Sequence, residues 1–425
     1  MHRTLSSTTL TLTLLAAFVP AVSVNAQAHP ATDPVLYRVT DLGTLGGDLT
    51  EPGGINDRGE VEGLAFLTGN AEVQAFYWYK GRITGIPGLG GPNSTAGWAI
   101  SNSGQMGVAG ETHDPDPLGQ DFCGFGDFTT CLPFVWQHGA ITLLPLPAGN
   151  NAAPTGFNNV DEVTGKAQKA DYDPTCSTPK LQTQGIVWRH GKIERLLPDF
   201  PGDTQGAGHS INDLGQVVGW SGHSSCGRPP FVNHALLWDP RAGRIDLGAL
   251  GNTVVSQAYN INNKGDVVGF SGDHGFLWRR GHIQDLGVLP GDVFSFGAAS
   301  NDAGEIVGAS GDADGNERAV LWYRDAMIDL NTLIPSNSPL YLLEGDYINS
   351  SGQIVGIGVD PASGQVHGFV AKPIGAGSYD DTSRPPDEHT NLAAKQVLPE
   401  NVRDYVRRRL SLRQIELLAP SSEHK

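Results

Sequence analysis

Apolar residues along this chain come in short runs, each cut off by Gly, Asn, Asp or Pro. That pattern suits short strands joined by tight turns. No run within the repeated region approaches the ~18 uninterrupted apolar residues of a membrane helix. The runs are also ordered, because three phrases return in fixed succession seven times. The first is Ile-Asn-Asp-x-Gly followed by a β-branched pair and Gly. It occupies residues 56–63, 212–219, 262–269, 301–308 and 349–356, with weaker copies at 101–108 and 158–165. The second is an apolar-aromatic run ending at Trp78, Trp136, Trp188, Trp238, Trp278 and Trp322; its seventh copy, Gly368-Phe369-Val370-Ala371, lacks the Trp. The third is Asp-Leu-Gly-x-Leu, clearest from Asp246 and Asp285.

Each phrase has a physical reading. Asn and Asp fold back on their own backbone, so the first phrase predicts a tight hairpin. Three residues after the Asn stands Gly59, Gly104, Gly215, Gly265, Gly304 or Gly352, free to take the left-handed conformation such a turn needs. In the third repeat that place is held by Asp161, one of the few other residues that tolerate it. The final Gly of the phrase predicts close approach of a neighbouring strand or a bend. Six of the eight Trp residues hold one repeat position, which marks them as packing residues rather than catalysts. The third phrase ends a fourth strand and begins the crossing to the next unit.

The succession is offset between the two ends. The last repeat stops near Ala371, and the third phrase it lacks stands alone at residues 37–47, around Asp41-Leu42-Gly43. Seven of each phrase exist only if the ends join. An all-β, seven-bladed β-propeller over residues 35–373, closed by its N-terminal strand, is therefore the expected fold. Four short strands with turns take roughly 40–50 residues, the length of one blade.

Composition agrees, with 56 Gly and 28 Pro in 425 residues. His2 and Arg3 precede a short apolar core at residues 10–19, and small residues at Ala26 and Ala28 offer cleavage sites. Residues 1–26 thus read as an export signal, placing the mature protein outside the cytoplasm, in the periplasm or beyond. Net charge is −17. Arg3 is the sole charge before residue 26, and the eight basic and eight acidic residues after Ile374 cancel, so the repeats carry −18. A ring of that charge argues against nucleic acid as partner and admits cations, cationic peptides or neutral glycans.

The four cysteines all fall between the second and third strands of repeats two to four. Cys123 and Cys131 share one loop. Cys176 and Cys226 sit in equivalent loops of consecutive repeats, which a propeller sets side by side. The expected bonds are Cys123–Cys131 and Cys176–Cys226.

Taken together the phrases resemble the bacterial extracellular repeats named HAF for their His-Ala-Phe segment. The nearest copies are His234-Ala235-Leu236-Leu237-Trp238 and His274-Gly275-Phe276-Leu277-Trp278, each followed by Asp-Leu-Gly. The resemblance implies a secreted or surface protein with no settled biochemical role, and it carries no catalytic residues over.

Candidate chemistry is sparse. Ser221, Ser271 and Ser310 follow Gly in a faint echo of a nucleophile elbow, but they lack its strand-to-helix turn and read as strand-end residues. Residues 312–317 place oxygen ligands around Gly315 without the full spacing of a calcium loop, so a solvated turn is favoured. His209, His223, His234 and His274 are scattered singly and read as packing or loop residues. Residues 374–398 read as a linker and residues 399–418 as an amphipathic helix. Its apolar stripe is Val402, Val406, Leu410 and Leu417, and Arg403, Arg407, Arg408, Arg409 and Arg413 make it basic. Packing of this helix back on the acidic ring is expected, in preference to docking on an anionic envelope surface or a secretion partner. No catalytic, cofactor or metal site is expected. The expected function is a non-enzymatic binding or scaffold module for an extracellular glycan or peptide, presenting the loops at 111–131, 169–182 and 222–232. The alternative is a propeller enzyme acting on such glycans or peptides.

Overall fold

The computed structural model describes residues 36–223, 232–324, 326–374 and 396–415, with side chains to residue 409. The export signal, most of the linker and Cys226 lie outside the described residues. The described residues are all-β apart from one short 3₁₀ turn and a helix, α1 (Glu400–Ile415).

Each repeat folds into an antiparallel meander. In the fifth, the strands Ser256–Ile261, Val267–Ser271, His274–Arg279 and His282–Asp285 pair in sequence order. Among the described residues, five sheets have four strands and a sixth has eight. The eight-stranded sheet joins Gly46–Ile55 and its three successors to Val366–Ile374 through a single parallel pairing, Leu49 with Val366. Strand Leu36–Asp41 runs antiparallel along the same edge of Val366–Ile374, opposite to the one paired with Ile354–Val359, with Tyr37 facing Pro373 and Asp41 facing Phe369. Successive sheets pack face against face, which is the plan of a β-propeller.

The core lies between sheets. Five of the six repeat Trp side chains are buried there and Trp278 is partly so; Trp188, Trp238 and Trp322 donate Nε1 to a carbonyl of the preceding unit, that of Pro145, Pro198 and Leu286 respectively. One such cluster places Val355 and Val370 of the last repeat against Ile55, Val61, Phe76 and Trp78 of the first.

The hairpin phrase forms the turn predicted for it. The glycines named above have φ between 71° and 87°, and Asp161 takes 68° in their place. The Asn that opens each turn is buried, 3–5 % exposed in all six repeats that carry it. Its Oδ1 accepts the backbone N–H groups two and four residues ahead, as Asn262 does from Lys264 and Asp266. Its Nδ2 crosses to the next repeat and donates to the backbone carbonyl of the equivalent residue. Asn56 reaches Ser101, Asn158 reaches Asn212, Asn212 reaches Asn262, Asn262 reaches Asn301 and Asn301 reaches Asn349. Asn349 then reaches the carbonyl of Asn56, 293 residues back, at 2.9 Å. In the second repeat Ser101 keeps the local bonds to Ser103 and Gln105, but it is too short to cross.

Replacing Asn262 by Ala removes the partner of two turn donors and of a neighbour's carbonyl at once. We expect a loss of roughly 2–4 kcal/mol. Asn262→Ser, which preserves the local bonds in the manner of Ser101, is expected to cost less than half as much. Urea unfolding of both variants decides this; equal costs would mean that the crossing bond contributes nothing.

Candidate functional site

The first strand of each repeat carries a β-bulge at the same place. Backbone pairing with the second strand slips between residues 52 and 54, 154 and 156, 208 and 210, 258 and 260, 297 and 299, and 345 and 347. The extra residue in each case stands three before the repeat Asn. These residues are Gly53, Thr155, His209, Tyr259, Ala298 and Asp346. Bulges re-aim side chains and concentrate near functional sites. All but Thr155 line one cavity of about 630 Å³, open mouth included, together with Trp98 of the second repeat.

The last Gly of the hairpin phrase makes the bulge possible. A Cβ at Gly63, Gly165, Gly219, Gly269, Gly308 or Gly356 would land on a first-strand carbonyl oxygen, that of Phe296 in the case of Gly308. In the second repeat the equivalent residue is Val108. Here the slip is wider: Ala96 pairs with Val108 and the next pairing is Ile100 with Met106. The three residues between include Trp98, which is 49 % exposed although it belongs to an inner strand.

The cavity has an aromatic arc and an acidic end. The Trp98 and His209 ring centroids are 6.0 Å apart, and those of His209 and Tyr259 are 5.7 Å apart. His209 Nδ1 donates to the Ala258 carbonyl at 3.0 Å, which fixes a proton on that nitrogen. Asn260 and Tyr347 add polar groups, and burial pushes the Tyr347 hydroxyl up to about 12, so it acts as a neutral donor. Behind Gly53 and Gly54 lies Glu62, fully buried, with neither oxygen partnered among the described residues. Burial pushes its pKa well above the usual carboxylate range.

Helix α1 closes on the acidic end. Leu398 and Val402 pack on Leu49, Leu343, Ile357, Val359 and Val366, and Val406 is buried as well, so the last residue of the expected linker is already docked. Arg409 enters the cavity wall and meets Glu51 Oε1 at 2.9 Å, Asp346 Oδ1 at 3.1 Å and Glu344 Oε2 at 3.3 Å. Burial opposes its charge, but Glu344, Glu51 and Asp346 outweigh that and hold the guanidinium firmly protonated. Tyr405 donates to Glu51 Oε2 and accepts from Arg409.

The other sequence candidates are structural. Cys123 and Cys131 are bonded, with Cα atoms 6.2 Å apart, although Cys131 lies inside the strand Thr129–Gln137 rather than in the loop. Cys176 is also in a disulfide, and its expected partner, Cys226, lies outside the described residues. Ser221, Ser271 and Ser310 each accept the backbone N–H of a crossing segment, from Phe200, Leu250 and Leu289. His234 stacks on Phe200, and His274 pairs with Asp285. His223 lies 3.8 Å from Asp203. The turn at 312–317 seats α1, through Asn316 Oδ1 to Leu398 N and Asp314 O to Arg407. Sequence reasoning passed over Trp98 and set His209 aside. The available signal was that Trp98 and Trp220 are the two Trp residues outside the repeat position.

No family model matches the chain, and no curated protein sequence does. Several solved structures share the general architecture. A chain of a mitotic checkpoint complex has 13 % identity over 86 % of this chain and all of its own, with a TM-score of 0.44. The Aleuria aurantia lectin, solved with Fucα1-6GlcNAc, has 10 % identity over 70 % of this chain and 98 % of its own, with a TM-score of 0.33. Prolyl oligopeptidase B from Galerina marginata has 7 % identity over 69 % of this chain and 44 % of its own, with a TM-score of 0.38. Likeness at this level carries no argument about ligand or activity.

Gly308→Ala should strip the bulge from the strand Phe294–Ser300 and cost roughly 2–4 kcal/mol in urea unfolding. A change below about 0.5 kcal/mol would mean that the sheet relaxes outward and the glycine is dispensable.

Proposed function

We propose that the chain is an exported member of the HAF-like repeat proteins, folded as a seven-bladed propeller closed by its N-terminal strand. It serves as a non-enzymatic binding module whose ligand site is the axial cavity. The blade count takes the eight-stranded sheet as two blades, because one parallel pairing joins its halves. Closure is supported by register. His274 pairs with Asp285 and Phe276 lies opposite Asp285 within the fifth repeat. In the last repeat, His367 pairs with Asp41 and Phe369 lies opposite Asp41. The N-terminal strand thus holds the place of a fourth strand. Export is supported by the two disulfides and by the leader-like first residues.

One observation carries the binding reading. Every repeat bulges its inner strand, and in all but the third the freed residue lines the cavity; those residues differ from repeat to repeat while the surrounding phrases recur. A position freed from packing and filled with Trp98, His209, Tyr259 and Asp346 suits recognition of an extracellular glycan or peptide. The enzyme reading draws on Glu62, a carboxyl whose pKa burial raises, as is typical of a general acid. It stands behind the cavity wall with no base in hydrogen-bond contact among the described residues, so we give it second place.

Two experiments test these readings. The Asp41–His367 pair makes closure sensitive to pH. Hydrogen bonding to Asp41 raises the His367 pKa above 6.5, so its contribution is complete below 6.5 and fades as pH rises through the raised value. For Asp41 burial opposes ionisation, but the bonds from His367 and Gly43 prevail and lower its pKa below 3.8; its contribution fades as pH falls through that lowered value. Hydrogen-exchange protection of Leu36–Asp41 should therefore peak between about pH 4 and 6.5 and lose its alkaline limb in His367→Gln. A strand unprotected at every pH would refute closure. For binding, the mature protein should capture ligands on glycan or peptide arrays, and Trp98→Ala should weaken capture about tenfold or more. Undiminished capture by Trp98→Ala would remove the cavity as the site, and turnover of an arrayed ligand would remove the non-enzymatic reading.

A further inference from the structure

We infer that the ligand of the axial cavity presents a guanidinium group, as an arginine side chain does, and that Arg409 fills that ligand's place from within the chain. This rests on the cavity being the binding site. Glu51 and Glu344 hold the same repeat position, five residues before the turn Asn, in the first and last repeats; the other repeats carry Ala96, Ala153, Ala207, Gln257 and Phe296 there. Acids therefore occur at this position only where the helix docks. With Asp346 they surround one guanidinium on several sides, and Glu344 is 1 % and Asp346 9 % exposed. Carboxylates gathered so closely out of water must pair with a cation or take up protons whenever the helix is away. A planar fork with several donors meets three acceptors better than a point-like ammonium does. Trp98 and Tyr259 on the cavity wall supply the flat faces on which a guanidinium stacks.

The occupant within the chain sets the affinity seen from outside. Helix α1 and the segment leading into it are seated by Leu398 and Val402 and by polar contacts at Asn316 and Asp314. A tethered competitor acts at an effective concentration on the order of mM, and it lowers apparent affinity by the fraction of molecules whose site is free. An arginine-bearing peptide that reaches the site must displace Arg409, so binding and helix release are one event.

The test is calorimetric titration of the full exported chain and its variants with N-acetyl-L-argininamide, N-acetyl-L-lysinamide and methyl α-D-glucoside. Arg409→Ala should bind the argininamide at least tenfold more tightly than the unmodified protein and gain distinctly less for the lysinamide. Adding Glu344→Gln to Arg409→Ala should abolish that gain. If Arg409→Ala unfolds, Arg409→Lys serves in its place, with a smaller gain expected. No gain in either variant, an equal gain for the lysinamide, or a gain indifferent to Glu344→Gln overturns the inference. Capture of neutral ligands in a Trp98-dependent manner would leave the cavity standing as a binding site after such a failure. Loss of both kinds of binding would remove the two readings together.

Discussion

The structure depends on what one buried Asn side chain does at each hairpin. A tight turn leaves two backbone N–H groups pointing inward with no strand to receive them, and burying them unpaired is costly. The Asn Oδ1 takes both, and one Nδ2 hydrogen stays within the turn, as from Asn212 to Gln216 Oε1. The other Nδ2 hydrogen reaches the carbonyl of the next turn. Local satisfaction of the turn and lateral registration of neighbours therefore follow from one side chain. Asp can accept but lacks the crossing donor, and Ser can accept but lacks the reach. This sets the height at which each inner strand enters the middle of the molecule, and hence which residues come level around the cavity.

The bulge is the second constraint, and it separates scaffold from site. A regular strand alternates its faces, so any residue aimed at the axis would be flanked by residues committed to packing between sheets. One extra residue in the inner strand interrupts that alternation and frees a position from the core. The neighbouring glycine accommodates the displaced carbonyl, as Gly269 does for Gln257. Where Val108 replaces that glycine the distortion widens and a large ring, Trp98, is carried into the open. The repeat that matches the phrase least well thus contributes the most prominent aromatic surface.

This explains which parts were legible in the sequence. The turns were readable because Asn, Gly and the substituting Asp161 each have a local conformational reason to be there. The buried Trp row was readable because packing demands the same bulk each time. The cavity-facing position was not, because a bulge shifts alternation by one and leaves no compositional mark; Gly53, His209 and Ala298 have nothing in common but their place. His209 on its own looks like any core histidine. The docking of α1 was legible as a stripe and a charge. Its target was not, since Glu51 and Glu344 are 293 residues apart and become neighbours only through the fold. Residues 312–317 resembled a cation loop because Asp and Asn also cap turns, and here their oxygens hold a helix.

A second set of bonds runs beside the Asn series, one residue further along. The backbone N–H of Asp57, Asn102, Asn159, Asp213, Asn263 and Ser350 each donates to the side chain of the equivalent residue in a neighbouring turn. Each set lacks one crossing among the described residues: the first between Ser101 and Asn158, the second between Asp302 and Ser350. The gaps fall at different junctions, so every pair of adjacent turns keeps at least one crossing. Such an arrangement lets individual repeats drift in sequence without parting from their neighbours, provided two losses never coincide. Asn159 and Asn301 are accordingly the residues with least freedom to vary, since each spans a junction its companion no longer covers.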